Sequence, residues 1–123
     1  MAVDILIVDD SAAIRKILQR VLGQAEIPVG CVYEAGDGAA ALEILKHQKV
    51  GLVLSDINMP NMDGLQLLGH IRAREDWRKM PVIMITTEGA AAKVQEAVAL
   101  GATGYVRKPF TAEQIKEKLM GLL

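Results

Sequence analysis

A chain of 123 residues, of which 51% are hydrophobic, can bury the core of one domain but has no room for two. Lys and Arg together number 14 and Asp and Glu number 15, so the net charge at pH 7 is -1. This balance excludes a general electrostatic attraction to nucleic acid or anionic lipid, and we expect one domain over residues 1–123.

The single cysteine and the N-terminal segment indicate a reducing compartment. Cys31 has no second cysteine in the chain with which to form a disulfide. It stands in an apolar run between Gly30 and Val32, which predicts a buried, unreactive thiol. No basic segment precedes an apolar stretch at the N-terminus, and the apolar runs are too short to cross a bilayer. We expect a cytoplasmic protein that does not bind membranes.

Short apolar runs typical of β-strands alternate along the chain with segments that repeat apolar residues at helical spacing. Strands are predicted at residues 3–8, 30–33, 51–54, 82–85 and 104–107. Helices are predicted near residues 14–22, 37–48, 65–74 and 90–100, and from residue 111 onward. This alternation with short connections predicts an α/β fold, in which a five-stranded parallel sheet lies between two layers of helices.

Polar residues predict how several helices begin. Residues 58–64 are rich in turn formers and are predicted to form a loop, with Asp63 as the cap of the third helix. Thr111 and Gln114 have the spacing of a capping box and predict the start of the fifth helix. Taken alone, Asp9 or Asp10 is more simply interpreted as a cap of the first helix.

In a parallel α/β sheet the carboxyl ends of the strands meet at one edge, where ligands bind. The polar residues at the predicted strand ends are Asp9, Asp10, Asp56, Thr86, Thr87 and Lys108. Three carboxylates brought together repel one another unless a cation is present, and Mg²⁺ prefers such oxygen ligands. A carboxylate is also a competent nucleophile toward phosphorus, while a metal, a lysine and a hydroxyl can hold the charge of the transferring group. The pattern therefore predicts a Mg²⁺-dependent phosphoryl-transfer site.

Four segments together resemble the signature of bacterial two-component response-regulator receiver domains. They are Leu6-Ile7-Val8-Asp9-Asp10-Ser11, Asp56-Ile57-Asn58-Met59-Pro60-Asn61-Met62-Asp63-Gly64, Thr86-Thr87-Glu88 and Lys108-Pro109-Phe110. The resemblance covers the whole chain, and the loop after Asp56 is most similar to single-domain chemotaxis regulators. It implies a flavodoxin-like, doubly wound sheet with strand order 2-1-3-4-5.

The resemblance also implies a role for each site residue. Asp56 is the phosphoacceptor, and Mg²⁺ is held by Asp10 and Asp56 directly, by the backbone carbonyl of Asn58, and by Asp9 mostly through water. Lys108, Thr86 and Thr87 contact the phosphoryl group, and Tyr105 turns inward as Thr86 moves. Asn58 and Glu88 tune dephosphorylation toward a short-lived phosphoryl group. Pro109 sets the backbone geometry after Lys108, and the family usually has this bond cis.

The implied function is a phosphorylation switch. A histidine kinase is the expected phosphodonor, and a monomeric chain is expected to change its affinity for a downstream target, with the flagellar motor switch as one candidate. Autocatalysis on Asp56 is expected, without turnover of a separate substrate.

Three alternatives remain open at this point. A small Mg²⁺-dependent phosphatase of the haloacid-dehalogenase type would also use an aspartate nucleophile, but Asp56-Ile57-Asn58 departs from its Asp-x-Asp-x-Thr pattern. A flavin-binding module would need a phosphate loop where Asp9 and Asp10 stand. The chain is also compatible with a receiver domain cut from a larger regulator.

Overall fold

The computed structural model describes residues 2–25, 27–87, 91–108 and 110–120, with the backbone alone for Thr87 and Ala91. In these residues the strands are β1 (Val3–Val8), β2 (Val29–Ala35), β3 (Leu52–Asp56), β4 (Val82–Thr87) and β5 (Gly104–Lys108). The α-helices are α1 (Ala12–Gln24), α2 (Gly38–His47), α3 (Gly64–Ala73), α4 (Ala91–Ala99) and α5 (Ala112–Met120), and a short 3₁₀ helix spans Glu75–Trp77. None of the helices in these ranges is long and apolar enough to span a membrane.

The strands form one parallel sheet in the order β2-β1-β3-β4-β5, which confirms the predicted topology. The register pairs Val8 with Ser55 and Asp56 with Ile85. The carboxyl ends of β1, β3 and β4 therefore lie side by side at one edge, and the pairing of Thr87 with Lys108 adds β5 to that edge.

Alternate strand residues point to opposite faces of the sheet, so each face carries its own core. On one face Leu6, Val8 and Val53 pack against a cluster that includes α2, α3 and α4 residues. On the other face Ile5 and Leu54 pack against α1 and α5. These five strand residues are completely buried, which explains why the central strands are continuous apolar runs without polar alternation.

The helix starts resolve the capping predictions. The Ser11 Oγ accepts from the Ile14 N–H at 3.3 Å and caps α1, so neither Asp9 nor Asp10 has that task. Asp63 caps α3 as predicted and forms a capping box with Gln66. The predicted capping box at the start of α5 is also present, because Thr111 and Gln114 exchange bonds of 2.9 and 3.1 Å.

The prediction of a buried Cys31 is wrong, because this thiol is exposed. Cys31 lies on β2, which is an edge strand of the sheet, and the neighbouring Gly30 is exposed as well. An apolar run on an edge strand does not have both faces and both sides covered, so burial cannot be read from the run alone.

Candidate functional site

Three carboxylates meet at the carboxyl edge of the sheet, as the strand ends predicted. Asp9 and Asp10 follow directly after β1, and Asp56 is the last residue of β3. One oxygen from each of the three side chains lies within 4.8 Å of the others. Asp9 and Asp56 are 2% and 8% exposed, whereas Asp10 is exposed to solvent. The cluster therefore forms a small acidic cup that is buried at Asp9 and Asp56 and open to solvent at Asp10.

Lys108 supplies a positive charge to this cup from the end of β5. Its Nζ lies 3.1 Å from Asp9 Oδ2 and 3.5 Å from Asp56 Oδ2, and the Lys108 side chain is only 17% exposed. One ammonium offsets one of three carboxylates, so the cluster keeps an excess of negative charge.

The carboxylate oxygens of Asp9 and Asp56 differ in their hydrogen-bond partners. Asp9 Oδ1 accepts from the Ser11 N–H at 2.9 Å, and Asp9 Oδ2 accepts from Lys108, so both of its oxygens are engaged. Asp56 Oδ1 accepts from the Ile57 N–H at 2.8 Å, which leaves Asp56 Oδ2 facing Lys108. Asp56 is thus held in one orientation with its second oxygen directed into the cup.

The surroundings of Asp56 make its ionised form costly. Burial is the largest influence and raises the pKa of Asp56 above its usual value. Lys108 and the Ile57 N–H lower this pKa and Asp9 raises it, so that the net shift is upward. A carboxylate in this state gains from any added cation, because the cation stabilises its charged form.

The donor set of the cup suits a hard divalent ion. It consists of carboxylate oxygens, with no His or Cys ligand in the group. Mg²⁺ binds through one or two carboxylates and keeps several waters, and an open side at Asp10 leaves room for those waters and for a phosphoryl oxygen. The residues present therefore fit Mg²⁺.

Thr86 and Tyr105 lie on the strands beside the cup. Thr86 is 1% exposed and is the penultimate residue of β4. Strand β4 pairs with β3, and Ile85 lies opposite Asp56. Tyr105 on β5 is 37% exposed, and the Lys118 Nζ lies 5.5 Å from the centre of its ring. Asn58 is exposed two residues beyond Asp56. The structure thus brings the side chains of Thr86 and Lys108 to the edge that carries the carboxylates.

Three predicted positions are not covered by these contacts. Glu88 and Pro109 lie outside the described residues, and for Thr87 only the backbone is described.

Two residues near the cup were not identified from the sequence. Arg15, on α1, donates to the backbone carbonyl of Asp9 and, at 2.9 Å, to Glu34. Gly64 donates its N–H to Ile57 O at 2.8 Å, and a Cβ at this position would collide with the Asp56 carbonyl oxygen. The glycine at the start of α3 was a visible signal for close backbone approach, whereas an arginine on a helix surface gives no such signal.

Comparisons with known proteins agree with this architecture. The family described as "Response regulator receiver domain" matches residues 5–120. "Chemotaxis protein CheY-3" of Vibrio cholerae is 44% identical over 115 residues, which cover 94% of this chain and 87% of that protein. The "Chemotaxis protein CheY homolog" of Campylobacter jejuni is 40% identical over 120 residues, which cover 97% of this chain and 91% of that protein. The solved structure of the chemotaxis response regulator CheY4 of Vibrio cholerae has a TM-score of 0.87 at 34% identity over 100% of both chains.

These matches favour neither the phosphatase nor the flavin-binding interpretation. Receiver domains bind Mg²⁺ at an acidic cluster, and this chain has Asp9, Asp10 and Asp56 close together. The family consists of signalling proteins, not of enzymes that turn over a separate substrate. The chain belongs to the response regulator receiver domain family. Its homology to chemotaxis response regulators identifies it as a phosphorylation-dependent signalling switch.

Proposed function

We propose that Asp56 is the phosphoacceptor of this switch, within a single receiver domain over residues 1–123. One observation carries the proposal: three carboxylates and Lys108, from the carboxyl ends of three strands, converge within a few ångströms at one edge. An Asp56 oxygen forms a bond to phosphorus, the P–N bond of a phosphohistidine on the kinase breaks, and the imidazole nitrogen keeps the electron pair. The product is an aspartyl phosphate.

The proposed metal site uses Asp10 and Asp56 as direct ligands, the Asn58 backbone carbonyl as a third, and Asp9 through water. Both oxygens of Asp9 already accept hydrogen bonds, whereas Asp10 is exposed, and this division supports the assignment. Bound Mg²⁺ supplies charge neutralisation for the transferring phosphoryl group. Ile57 N–H and Lys108 orient the Asp56 carboxylate for attack.

The switch itself is proposed to act through Thr86, Thr87, Lys108 and Tyr105. A phosphoryl group on Asp56 adds negative charge and acceptor oxygens, which the Thr86 hydroxyl, Lys108 and the backbone near Thr87 would bind. Such contacts exist only in the phosphorylated form, so they can shift the population of two conformations. Tyr105 would then leave its half-exposed position beside Lys118 and turn inward.

The output surface is proposed to be the face formed by α4, β5 and α5. Val98 and Tyr105 expose apolar surface there, and Arg107 adds a charge. A receiver of this kind implies a histidine kinase as donor and a downstream target protein. Because the relatives are named chemotaxis proteins, we propose chemotaxis-type signalling by a cytoplasmic monomer, with the flagellar motor switch as the candidate target.

The lifetime of the phosphoryl group is proposed to be short. By resemblance to the family, Asn58 and Glu88 occupy the sequence positions that tune dephosphorylation, and polar side chains at such positions help to orient the attacking water. A phosphoryl lifetime of many hours in the purified protein would contradict this assignment.

The proposal is tested by labelling with acetyl phosphate in the presence and absence of Mg²⁺. Wild-type protein is expected to be labelled only with Mg²⁺, and Asp56→Asn is expected to abolish labelling because the nucleophile is lost. Asp63→Asn is the matched control, since it makes the same change at a helix cap that is not part of the carboxylate cluster. Labelling that persists in Asp56→Asn would refute the assignment.

A further inference from the structure

The loop between β3 and α3, residues 57–63, is fastened to the first turn of α2. The Asn61 Nδ2 donates to Asp37 Oδ2 at 2.8 Å, and the Gly38 N–H donates to the Met62 carbonyl at 2.9 Å. Asp37 and Asn61 are separated by 24 positions in the chain, so these bonds are tertiary contacts and not part of one local turn.

The two oxygens of Asp37 have different partners. Oδ1 accepts from the Ala40 N–H at 2.8 Å and caps α2, while Oδ2 accepts from Asn61. The bond from the Ala40 backbone, followed by that from Asn61, lowers the pKa of Asp37, so the carboxylate stays ionised at neutral pH. Both carboxylate oxygens of Asp37 are therefore used at once, one for the helix and one for the loop.

Packing and backbone conformation at this contact are equally specific. A Cβ on Gly38 would lie 2.7 Å from Met62 Cγ, so the loop passes directly over the start of α2. Asn61 has a φ of 64°, a left-handed conformation that asparagine adopts more readily than most residues. A backbone in this region persists when surrounding contacts hold it, and the Asp37 bond is such a contact.

The other end of the loop is fixed to the phosphorylation site. Gly64 donates to Ile57 O at 2.8 Å and has no space for a side chain next to the Asp56 carbonyl. Asn58 therefore lies in a short segment that is anchored on one side at Asp56 and on the other at Asp37.

We propose that Asp37 is a positioning residue for the metal site, which acts through Asn61 to hold the loop with the Asn58 carbonyl ready for Mg²⁺. The inference rests on the proposed function, because it uses Asn58 as a ligand. When only a fraction of molecules has the binding-competent loop, the apparent dissociation constant rises in inverse proportion to that fraction. The Asp37–Asn61 bond keeps this fraction high.

Asp37→Ser separates the two tasks of Asp37. Serine caps helices as well as aspartate does, but its single oxygen cannot also reach Asn61. Asp37→Asn restores the second contact, because the Asn61 amide can rotate and accept from the new side chain. Asp63→Ser is the matched control: it removes the same charge from the same neighbourhood and retains a capping oxygen, but Asp63 holds no bond to α2.

The first measurement is the Mg²⁺ dissociation constant by calorimetry. Asp37→Ser is expected to bind Mg²⁺ about threefold to tenfold more weakly than Asp63→Ser, the size expected for one lost hydrogen bond and a less ordered loop. Asp37→Asn is expected to lie within about twofold of Asp63→Ser, since the hydrogen bond is restored without the charge. Equal affinities for Asp37→Ser and Asp63→Ser would overturn the inference while leaving the proposed function intact.

The second measurement is the rate of phosphorylation by acetyl phosphate against Mg²⁺ concentration. Asp37→Ser is expected to need more Mg²⁺ for half-maximal rate and to reach the wild-type rate at saturation, which general unfolding would not produce. Asn61→Gly, which keeps the left-handed backbone and removes the amide, should show the same shift. A lower maximal rate with an unchanged Mg²⁺ requirement would contradict the inference, and absence of Mg²⁺ binding by the wild type would refute the proposed function itself.

Discussion

The amino and carboxyl edges of the sheet, where the strands begin and end, use polar groups in opposite ways. At the amino edge, Arg72 of α3 donates to Gly101 O at 2.9 Å and to Met80 O at 2.8 Å, with longer bonds to Trp77 O and Thr103 Oγ1. One cation there is surrounded by the acceptors of the connections that lead into β4 and β5. At the carboxyl edge, three carboxylates crowd together with one lysine.

This difference separates a polar network that holds the fold from one for which we propose a chemical role. The groups around Arg72 satisfy one another, so no added ion or ligand is needed for their stability. Asp56 has a raised pKa because burial and a neighbouring carboxylate oppose its charge. A cluster with an excess of negative charge gains free energy when it binds a cation, because the cation stabilises the ionised carboxylates.

The largest effect on stability is expected at the amino edge. Arg72→Met removes the side-chain donor of the Gly101 and Met80 carbonyls and should lower the free energy of unfolding by about 2–4 kcal/mol. Arg74→Met is the matched control, because Arg74 is exposed, pairs with Asp76 and stacks on Trp77, and its loss should remove less than about 1 kcal/mol. Urea unfolding of both variants measures this difference. Equal losses would mean that Arg72 does not hold the connections together.

The second effect is stabilisation of the carboxyl edge by Mg²⁺. A ligand that binds only the folded protein at a hundredfold excess over its Kd stabilises it by about 2.7 kcal/mol. Thermal unfolding in Mg²⁺ against KCl of equal ionic strength should show this gain in the wild type. It should be much smaller in Asp10→Asn and unchanged in Asp63→Asn. The same gain in Asp10→Asn would place the ion elsewhere.

The smallest predicted effect is a gain in the free energy of unfolding, whereas the loss of a buried group ordinarily lowers it. Without Mg²⁺, Asp56→Asn should stabilise the protein at neutral pH by on the order of 1 kcal/mol, because it removes a crowded charge. The folded pKa of Asp56 is raised, so its unfavourable contribution is present above that pKa and vanishes as the pH falls through it toward the unfolded value of about 3.9. Unfolding curves of both proteins between neutral and acidic pH should therefore converge at low pH. A variant less stable than wild type at pH 7 would contradict the account.

Much of the fold and of the site could be predicted because the signals are local or repeat along the chain. Apolar runs that end in Asp9, Asp56 or Lys108 identify both the strands and the edge at which they deliver polar groups. Capping residues such as Thr111 and Asp63 bond within three positions of themselves, so their spacing is visible in the sequence.

The features that were not predicted depend on which elements become neighbours. Arg72 reaches 29 positions along the chain to Gly101, and Asp37 reaches 24 to Asn61. Neither pair shows a spacing that distinguishes it from ordinary surface residues. Cys31 was assigned to the core because its run is apolar, but exposure depends on the place of β2 at the edge of the sheet.

The most direct test is chemical identification of the phosphorylated side chain. Borohydride reduces an aspartyl phosphate to homoserine, so protein labelled by acetyl phosphate in Mg²⁺ can be reduced, digested and sequenced by mass spectrometry. We expect homoserine at position 56 alone, and none when Mg²⁺ is withheld. Homoserine at position 9 or 10, or a phosphoryl group that resists reduction, would contradict the claim that Asp56 is the phosphoacceptor of the acidic cup.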